Sequence, residues 1–365
     1  MKMIHPPIGG CQRIDIKMKL FEEGKLGDIT IANRIVMAPM TRSRADDESD
    51  CPNQLMVDYY TQRSSAGMII TEGTHPSADG KGYCRTPGIY TEAQVAAWEN
   101  VTRSVHDAGG KIVLQLMHCG RIGHPYNKKI DARILSPSAI TAQGEIYTEQ
   151  GMMAYPKPEA MSHADIVSTV NDYKKATENA FSAGFDGVEL HCASGYLPAQ
   201  FLSTGTNTRS DSYGGSLDNR LRFVSEVLEA LMSVRGSGRV GLRICPGNTF
   251  NDLHDDDPTE TFAALLRRIN DFNLAYLHVI DLPAIGLHNR KLAQSNYSGK
   301  IILNDSFDCG SANAALEDSQ IAAIAFGRPF IANPDLPARF LNGAPLREFD
   351  KRTLYTPGKR GYTDY

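Results

Sequence analysis

The chain has 365 residues, of which 41% are hydrophobic and 22% charged, with 32 glycines and a formal charge of −4. That mixture excludes fibrous and low-complexity chains and describes an ordinary globular protein. The charge balance gives no electrostatic reason to expect a nucleic acid or an anionic membrane as partner. Seven cysteines, at positions 11, 51, 84, 119, 192, 245 and 309, form no Cys-x-x-Cys pair. Neither a disulfide framework nor a structural zinc site is expected, and no metal is assigned. The first 20 residues lack an apolar signal region and no run approaches the length of a membrane span. The expectation is a soluble, cytoplasmic chain.

In chain order, residues 1–18 read as an N-terminal extension, with the first 20 lying outside the main body or closing its base. The first strand candidate is Arg34–Pro39, the second Gly67–Glu72. Thr91 and Gln94 make a capping-box pattern before Val95, Trp98, Val101 and Val105 at helical spacing. Gly109–Gly110 stops that helix. Lys111–Leu116 is the third strand, and residues 119–160, rich in Gly, Pro and Ser, form a long insertion after it. Insertions of that length in a compact domain are usually lids or binding surfaces. Ser162 and Asp165 repeat the helix-start pattern. Further strands follow at Gly187–His191, Val240–Cys245, Ala275–Val279, Lys300–Leu303 and Ala322–Phe326, and Asn333–Pro334 reads as a cap with proline in a first helical turn. The strand segments are apolar almost throughout, as strands buried on both faces are. Eight such units, alternating with helices, predict an α/β protein: one (β/α)₈ barrel over residues 19–365.

Catalytic groups of such barrels gather at the C-terminal ends of the strands. There the sequence places Met40–Thr41, Gln115, Met117, His191, Ser194, Tyr196, Arg243 and Gly327–Arg328. Each has a plain structural reading: Arg243 and Glu189 could fill a barrel layer as an ion pair, Gln115 could satisfy backbone, and a lone histidine is more often core than catalyst. Their convergence on one end favours a site. The turns Asn304–Asp305–Ser306–Phe307 and Gly327–Arg328 fall where many barrels hold a phosphate. The run Gly236–Gly241 matches G-x-G-x-x-G literally but precedes a strand, so it is not a dinucleotide fingerprint. The acidic run Asp255–Asp257 reads as a solvated loop.

The segments beginning at Asn33 (NRIVMAPMTRSRA), Gln115 (QLMHCGR) and His191 (HCASGYLPAQFLSTGTNTRSDSYGGSLDNR), with VGLRICP, AFGRPFIANPDL and the closing GYTDY, resemble the Old Yellow Enzyme family. The likeness runs from about residue 19 to the end. Within the family, Lys81–Gly82–Tyr83 and the C-terminal motif look nearest to the N-ethylmaleimide and glycerol trinitrate reductase-like group.

The resemblance implies noncovalent FMN, NADPH or NADH as reductant, and a ping-pong reaction delivering hydride to the β-carbon of an activated alkene such as an enone, maleimide or nitroalkene. Pro39, Met40 and Gly73 would pass the flavin ring with backbone, and Thr41 would bond the carbonyl near N5. Gln115 would pair with the pyrimidine edge and Arg243 would face N1 and the C2 carbonyl. Asp305, Ser306, Phe307, Gly327 and Arg328 would surround the phosphate. His191 and Ser194 would bind the substrate oxygen, Tyr196 would protonate the α-carbon, and Tyr83, Met117, Phe250 and Tyr355 would line the pocket. The chain departs from the family at Ser194, where Asn or His is usual, and from the near group at Met117, where Trp is usual. Nitroester or nitroaromatic reduction at the same site, or flavin binding with little turnover, are the alternatives. The resemblance admits a monomer or a homodimer.

Overall fold

The computed structural model describes residues 18–365. Eight strands close a barrel in which every neighbour is parallel and sequence order is spatial order: β1 (Ile35–Met37), β2 (Met68–Ile70), β3 (Ile112–Leu116), β4 (Gly187–Cys192), β5 (Val240–Ile244), β6 (Tyr276–Ile280), β7 (Ile301–Asn304) and β8 (Ile321–Phe326). All eight lie on the segments expected from the sequence. Nearly every position in them is buried, because one face of each strand meets the barrel interior and the other meets a helix.

The helices begin where the side chains can cap them. Thr91 accepts from the Gln94 amide while the Gln94 side chain accepts from the Thr91 amide, and the same reciprocal box joins Ser162 to Asp165. Helix Glu92–Asp107 ends before Gly109, whose φ of +80° suits glycine. The glycine-rich run at 236–241 follows helix Leu217–Arg235 and leads into β5, which confirms that it is no dinucleotide fingerprint. Asp257 caps helix Pro258–Ile269 rather than merely standing in a loop.

Two expectations are corrected. Asn333 closes the short helix Arg328–Ala332 instead of opening the next one, which runs Leu336–Asn342 with its proline at Pro337. The reason is tertiary: the Asn333 amide donates to Pro329 O (2.8 Å) and Arg347 O (3.1 Å) and accepts from the Arg347 amide (2.8 Å). The barrel base is closed by an antiparallel hairpin, Gly24–Leu26 with Ile29–Ile31, where no strand is expected from the sequence. Its turn glycine, Gly27, has φ +56°, and a Cβ there would lie 2.3 Å from Gly238 O. Leu26, Ile29 and Ile31 pack with Val36, Met68, Val113, Tyr276 and Ile302 to fill the lower barrel. The expected extension over 1–18 lies, apart from Met18, outside the described residues.

The insertion after β3 is ordered. Within it, Glu145–Thr148 and Gly151–Ala154 form an antiparallel hairpin, and Leu135–Ser136 pairs with Glu159–Ala160. The C-terminal tail packs on the loop after β1 and on the helix Gln54–Thr61. Arg44 donates to the carbonyls of Thr353 (2.7 Å), Leu354 (2.7 Å) and Arg360 (3.1 Å), and the Tyr362 ring stacks on Tyr59 with centroids 4.1 Å apart. No described helix is long and apolar enough to cross a membrane.

Candidate active site

Above the apolar plug the barrel interior turns polar. Alternation along β3 to β7 points Gln115, Glu189, Arg243, His278 and Asn304 inward in one continuous network. Gln115 Nε2 donates to Glu189 Oε1 (2.8 Å), and Glu189 Oε2 lies 2.8 Å from His278 Nδ1. The Arg243 guanidinium reaches His278 Nε2 and donates to Asn304 Oδ1 (2.7 Å), whose amide donates to Ala325 O (2.8 Å). Glu189 and Arg243 therefore do not pair directly. His278 stands between them, with its Nδ1–H assigned toward the carboxylate so that Nε2 can accept from the guanidinium. Burial and the Arg243 charge push His278 down to about 4, which keeps it neutral. Glu189 is held below its ordinary range: burial opposes this, but His278 and Arg243 outweigh it.

One turn higher, His191 faces the barrel mouth at the end of β4. Burial, reinforced by Arg243, pushes it down to about 3, and its Nδ1 is buried without a partner among the described residues. The chain then turns through Ser194 (φ +55°) and Gly195 (φ +76°), two left-handed residues in succession. A Cβ at Gly195 would stand 2.7 Å from Phe250 O, so this turn needs glycine. The turn brings the Tyr196 ring back to 4.9 Å from the His191 ring, edge to face. Burial raises the Tyr196 hydroxyl above its ordinary range, and that hydroxyl lies 3.1 Å from the Tyr83 hydroxyl. Met117, Tyr196, Cys119, Ile122 and Ala142 form a small apolar cluster with Tyr83 and Tyr155 against it. Gly73 faces Met117, and a Cβ there would come within 2.5 Å of its Sδ.

The structure thus gathers Gln115, His191, Tyr196, Arg243, Tyr83 and Met117 at the barrel mouth. Pro39, Met40 and Thr41 follow β1, half-buried at the same end. Asp305 (φ +93°) and Ser306 (φ +59°) form a left-handed turn after β7, with Phe307 next in the chain. Gly327 and Arg328 open the short helix after β8, and the exposed Arg328 side chain has no ion pair among the described residues. Phe250 and Tyr355 are more than half exposed. The Ser194 hydroxyl makes no hydrogen bond to the described residues. Its backbone carbonyl instead accepts from the Asn251 amide (2.8 Å), which also neighbours the Tyr196 hydroxyl. Sequence reading missed His278 and Asn251, and put Asn304 in the phosphate turn, whereas its side chain accepts from Arg243. The period-two placement of His278 after Tyr276 in β6 marks it as inward-facing, but nothing local to Asn251 signals its role.

The match to known sequences settles the kind of protein this is. Residues 19–347 match the profile of the NADH:flavin oxidoreductase / NADH oxidase family. The chain belongs to that family. It is 43% identical, over 93% of its length and 95% of the relative's, to a probable flavin mononucleotide-dependent alkene reductase of Leishmania infantum. It is 39% identical to chanoclavine-I aldehyde reductase of Penicillium roqueforti, covering 95% of this chain and 96% of that one. Among solved structures, morphinone reductase superposes with a TM-score of 0.90 at 43% identity, covering 95% of each chain. The Old Yellow Enzyme homologue of Zymomonas mobilis gives 0.91 at 37% identity, covering 95% of this chain and 99% of that one.

The open groups suit the family's cofactor. The unpartnered His191 Nδ1 calls for a partner that the described residues do not supply. Arg243 offers positive charge inside the mouth, and the turn through Asp305 and Ser306, both at positive φ, follows β7.

Proposed function

We propose that the protein is an FMN-dependent reductase of activated alkenes that uses NAD(P)H. The observation that carries this reading is the buried pair His191 and Tyr196, stacked edge to face at the mouth with the histidine Nδ1 unspent. Bound FMN supplies hydride relay from the nicotinamide to the alkene. Thr41, Gln115 and Arg243 would hold the ring's polar edges, with Pro39, Met40 and Gly73 contributing backbone. Asp305, Ser306, Phe307, Gly327 and Arg328 would hold the phosphate end.

The chain's own groups do the rest. A neutral His191 has one ring N–H to give to the substrate's carbonyl or nitro oxygen, stabilising charge that develops as the alkene is reduced. Tyr196 keeps its proton across the physiological range and would give it to the α-carbon as general acid. Tyr83, 3.1 Å behind it, orients that hydroxyl. Ser194, held by Asn251 through its carbonyl, is the second oxygen ligand, directly or through water. Met117, Tyr83, Phe250 and Tyr355 bound the substrate space.

The test is a visible spectrum of the purified protein under anaerobic conditions, taken before and after NADPH and again after N-ethylmaleimide. A yellow protein that bleaches with NADPH and recovers with the alkene is the expected result. A colourless protein that takes up no added FMN overturns the reading. Bleaching without recovery, followed by nitrite release from glycerol trinitrate, would replace alkene reduction with nitroester reduction.

A further inference from the structure

Three chain segments converge two residues from Tyr83: the loop after β1, the hairpin of the insertion, and the C-terminal tail carrying Tyr355. They are far apart in sequence, and one side chain touches all three. Arg85 Nε donates to Ser43 O (3.1 Å) in the loop after β1. Its Nη2 donates to Tyr355 O (2.9 Å) in the tail. Its Nη1 is ion-paired with the carboxylate of Glu149 at the hairpin tip.

The surroundings fix Arg85 itself. Its backbone is left-handed (φ +49°), and its carbonyl accepts from the Ala45 amide at 3.0 Å. Tyr83, two residues earlier, carries the hydroxyl that meets Tyr196. Asn127 ties the same segment to the hairpin by donating to Gly82 O (3.1 Å) and Tyr147 O (2.9 Å). Tyr147, two residues from the tip, is therefore held by neutral bonds, and Glu149 at the tip by the charge on Arg85.

We propose that Arg85 is a positioning residue that sets the width of the substrate entrance, and that its pair with Glu149 is the part of this clasp that opens. This rests on the mouth being the substrate entrance, as proposed above. The bond to Ser43 O is part-buried and the tail is held a second time by Arg44 through Thr353 O and Leu354 O, whereas the Glu149 side chain is 42% exposed. Salt screens the exposed ion pair more than the bonds to carbonyl oxygens. The hairpin tip is thus the movable jaw, and the tail with Tyr355 is the fixed one. Acceptance of bulky against small alkenes is decided at this contact.

Hydrogen exchange read over residues 145–154 and 353–357, together with steady-state kinetics on the holoenzyme, tests the clasp. In Glu149→Gln, exchange in the hairpin rises about fivefold, the size expected for a partly exposed ion pair, and the tail is unchanged. Half-molar salt does the same to the unmodified protein. In Arg85→Met both segments exchange faster. The KM for a bulky cyclic enone falls about fivefold relative to that for N-ethylmaleimide, at unchanged kcat. The double swap Arg85→Glu with Glu149→Arg restores hairpin protection but not tail protection. The proposal is overturned if Arg85→Met leaves either segment unchanged, if Glu149→Gln loosens the tail as well, or if the KM ratio of the two alkenes does not move. Should exchange behave as expected while the unmodified holoenzyme reduces neither alkene, the clasp stands and the alkene-reductase reading fails instead.

Discussion

Glu189→Gln tests the polar layer of the barrel. The substitution keeps shape and removes charge. Glu189 is completely buried and accepts from Gln115 and His278, and the charge it balances, on Arg243, is also buried. A glutamine cannot accept from both neighbours, since its amide nitrogen must face one donor. It also leaves the guanidinium without a counter-charge. Breaking one side of a buried pair costs about 3–5 kcal/mol. With an unfolding entropy of about 2.1 cal/mol/K per residue, a chain of this length loses roughly 4–7 °C in Tm. The assay is thermal unfolding by circular dichroism at pH 7, where His278 and His191 are neutral. Adding Arg243→Met to Glu189→Gln should recover part of the loss, because the double variant buries no unpaired charge. A Tm drop below about 2 °C, or strictly additive losses in the double variant, would refute the argument that His278 couples the two charges.

Three other outcomes are expected. Tyr196→Phe slows alkene reduction by about 10²-fold or more while NADPH-driven bleaching stays near normal; stopped-flow absorbance separates the half-reactions, and a selective loss of bleaching contradicts the proton-donor role. Ser194→Asn suits the left-handed backbone there and adds a direct donor, so kcat for N-ethylmaleimide should rise at least about tenfold. An unchanged kcat means that water already fills the gap. Glu72 is buried, which pushes its carboxyl up to about 7 despite bonds from the Arg42 amide and the Tyr60 hydroxyl. Its folded value lies above the ordinary one, so its contribution to stability is full below about pH 4.5 and is lost as pH rises through 7. Glu72→Gln should accordingly raise Tm at pH 8 by a few degrees, on the order of 3 kcal/mol, and leave it unchanged at pH 4.5. A uniform shift at both pH values would contradict the assigned titration.

The sequence by itself determined the eight strands, because strands buried on both faces must be apolar throughout, and no other repeated pattern competes with that one. It also determined the two capped helices, since Thr91 with Gln94 and Ser162 with Asp165 need only local geometry. The fixed spacing of His191, Ser194 and Tyr196 made the family resemblance legible, and Gln115 and Arg243 could be placed at strand ends. What the tertiary structure alone decided is who meets whom across the barrel and around its mouth. His278 separates Glu189 from Arg243 because closure brings β4, β5 and β6 side by side, and no sequence distance records that contact. Asn333 changes from helix start to helix end because Arg347, fourteen residues away, claims its amide. The hairpin at 24–31 is not legible in the sequence because three-residue strands carry too little period-two signal; only the open base of the barrel shows what its Leu26, Ile29 and Ile31 cover. Arg85 reads as one more surface cation until the chain has folded. The tail and the insertion then arrive on either side of it, because a barrel that carries all its βα loops at one end crowds distant segments around a single opening.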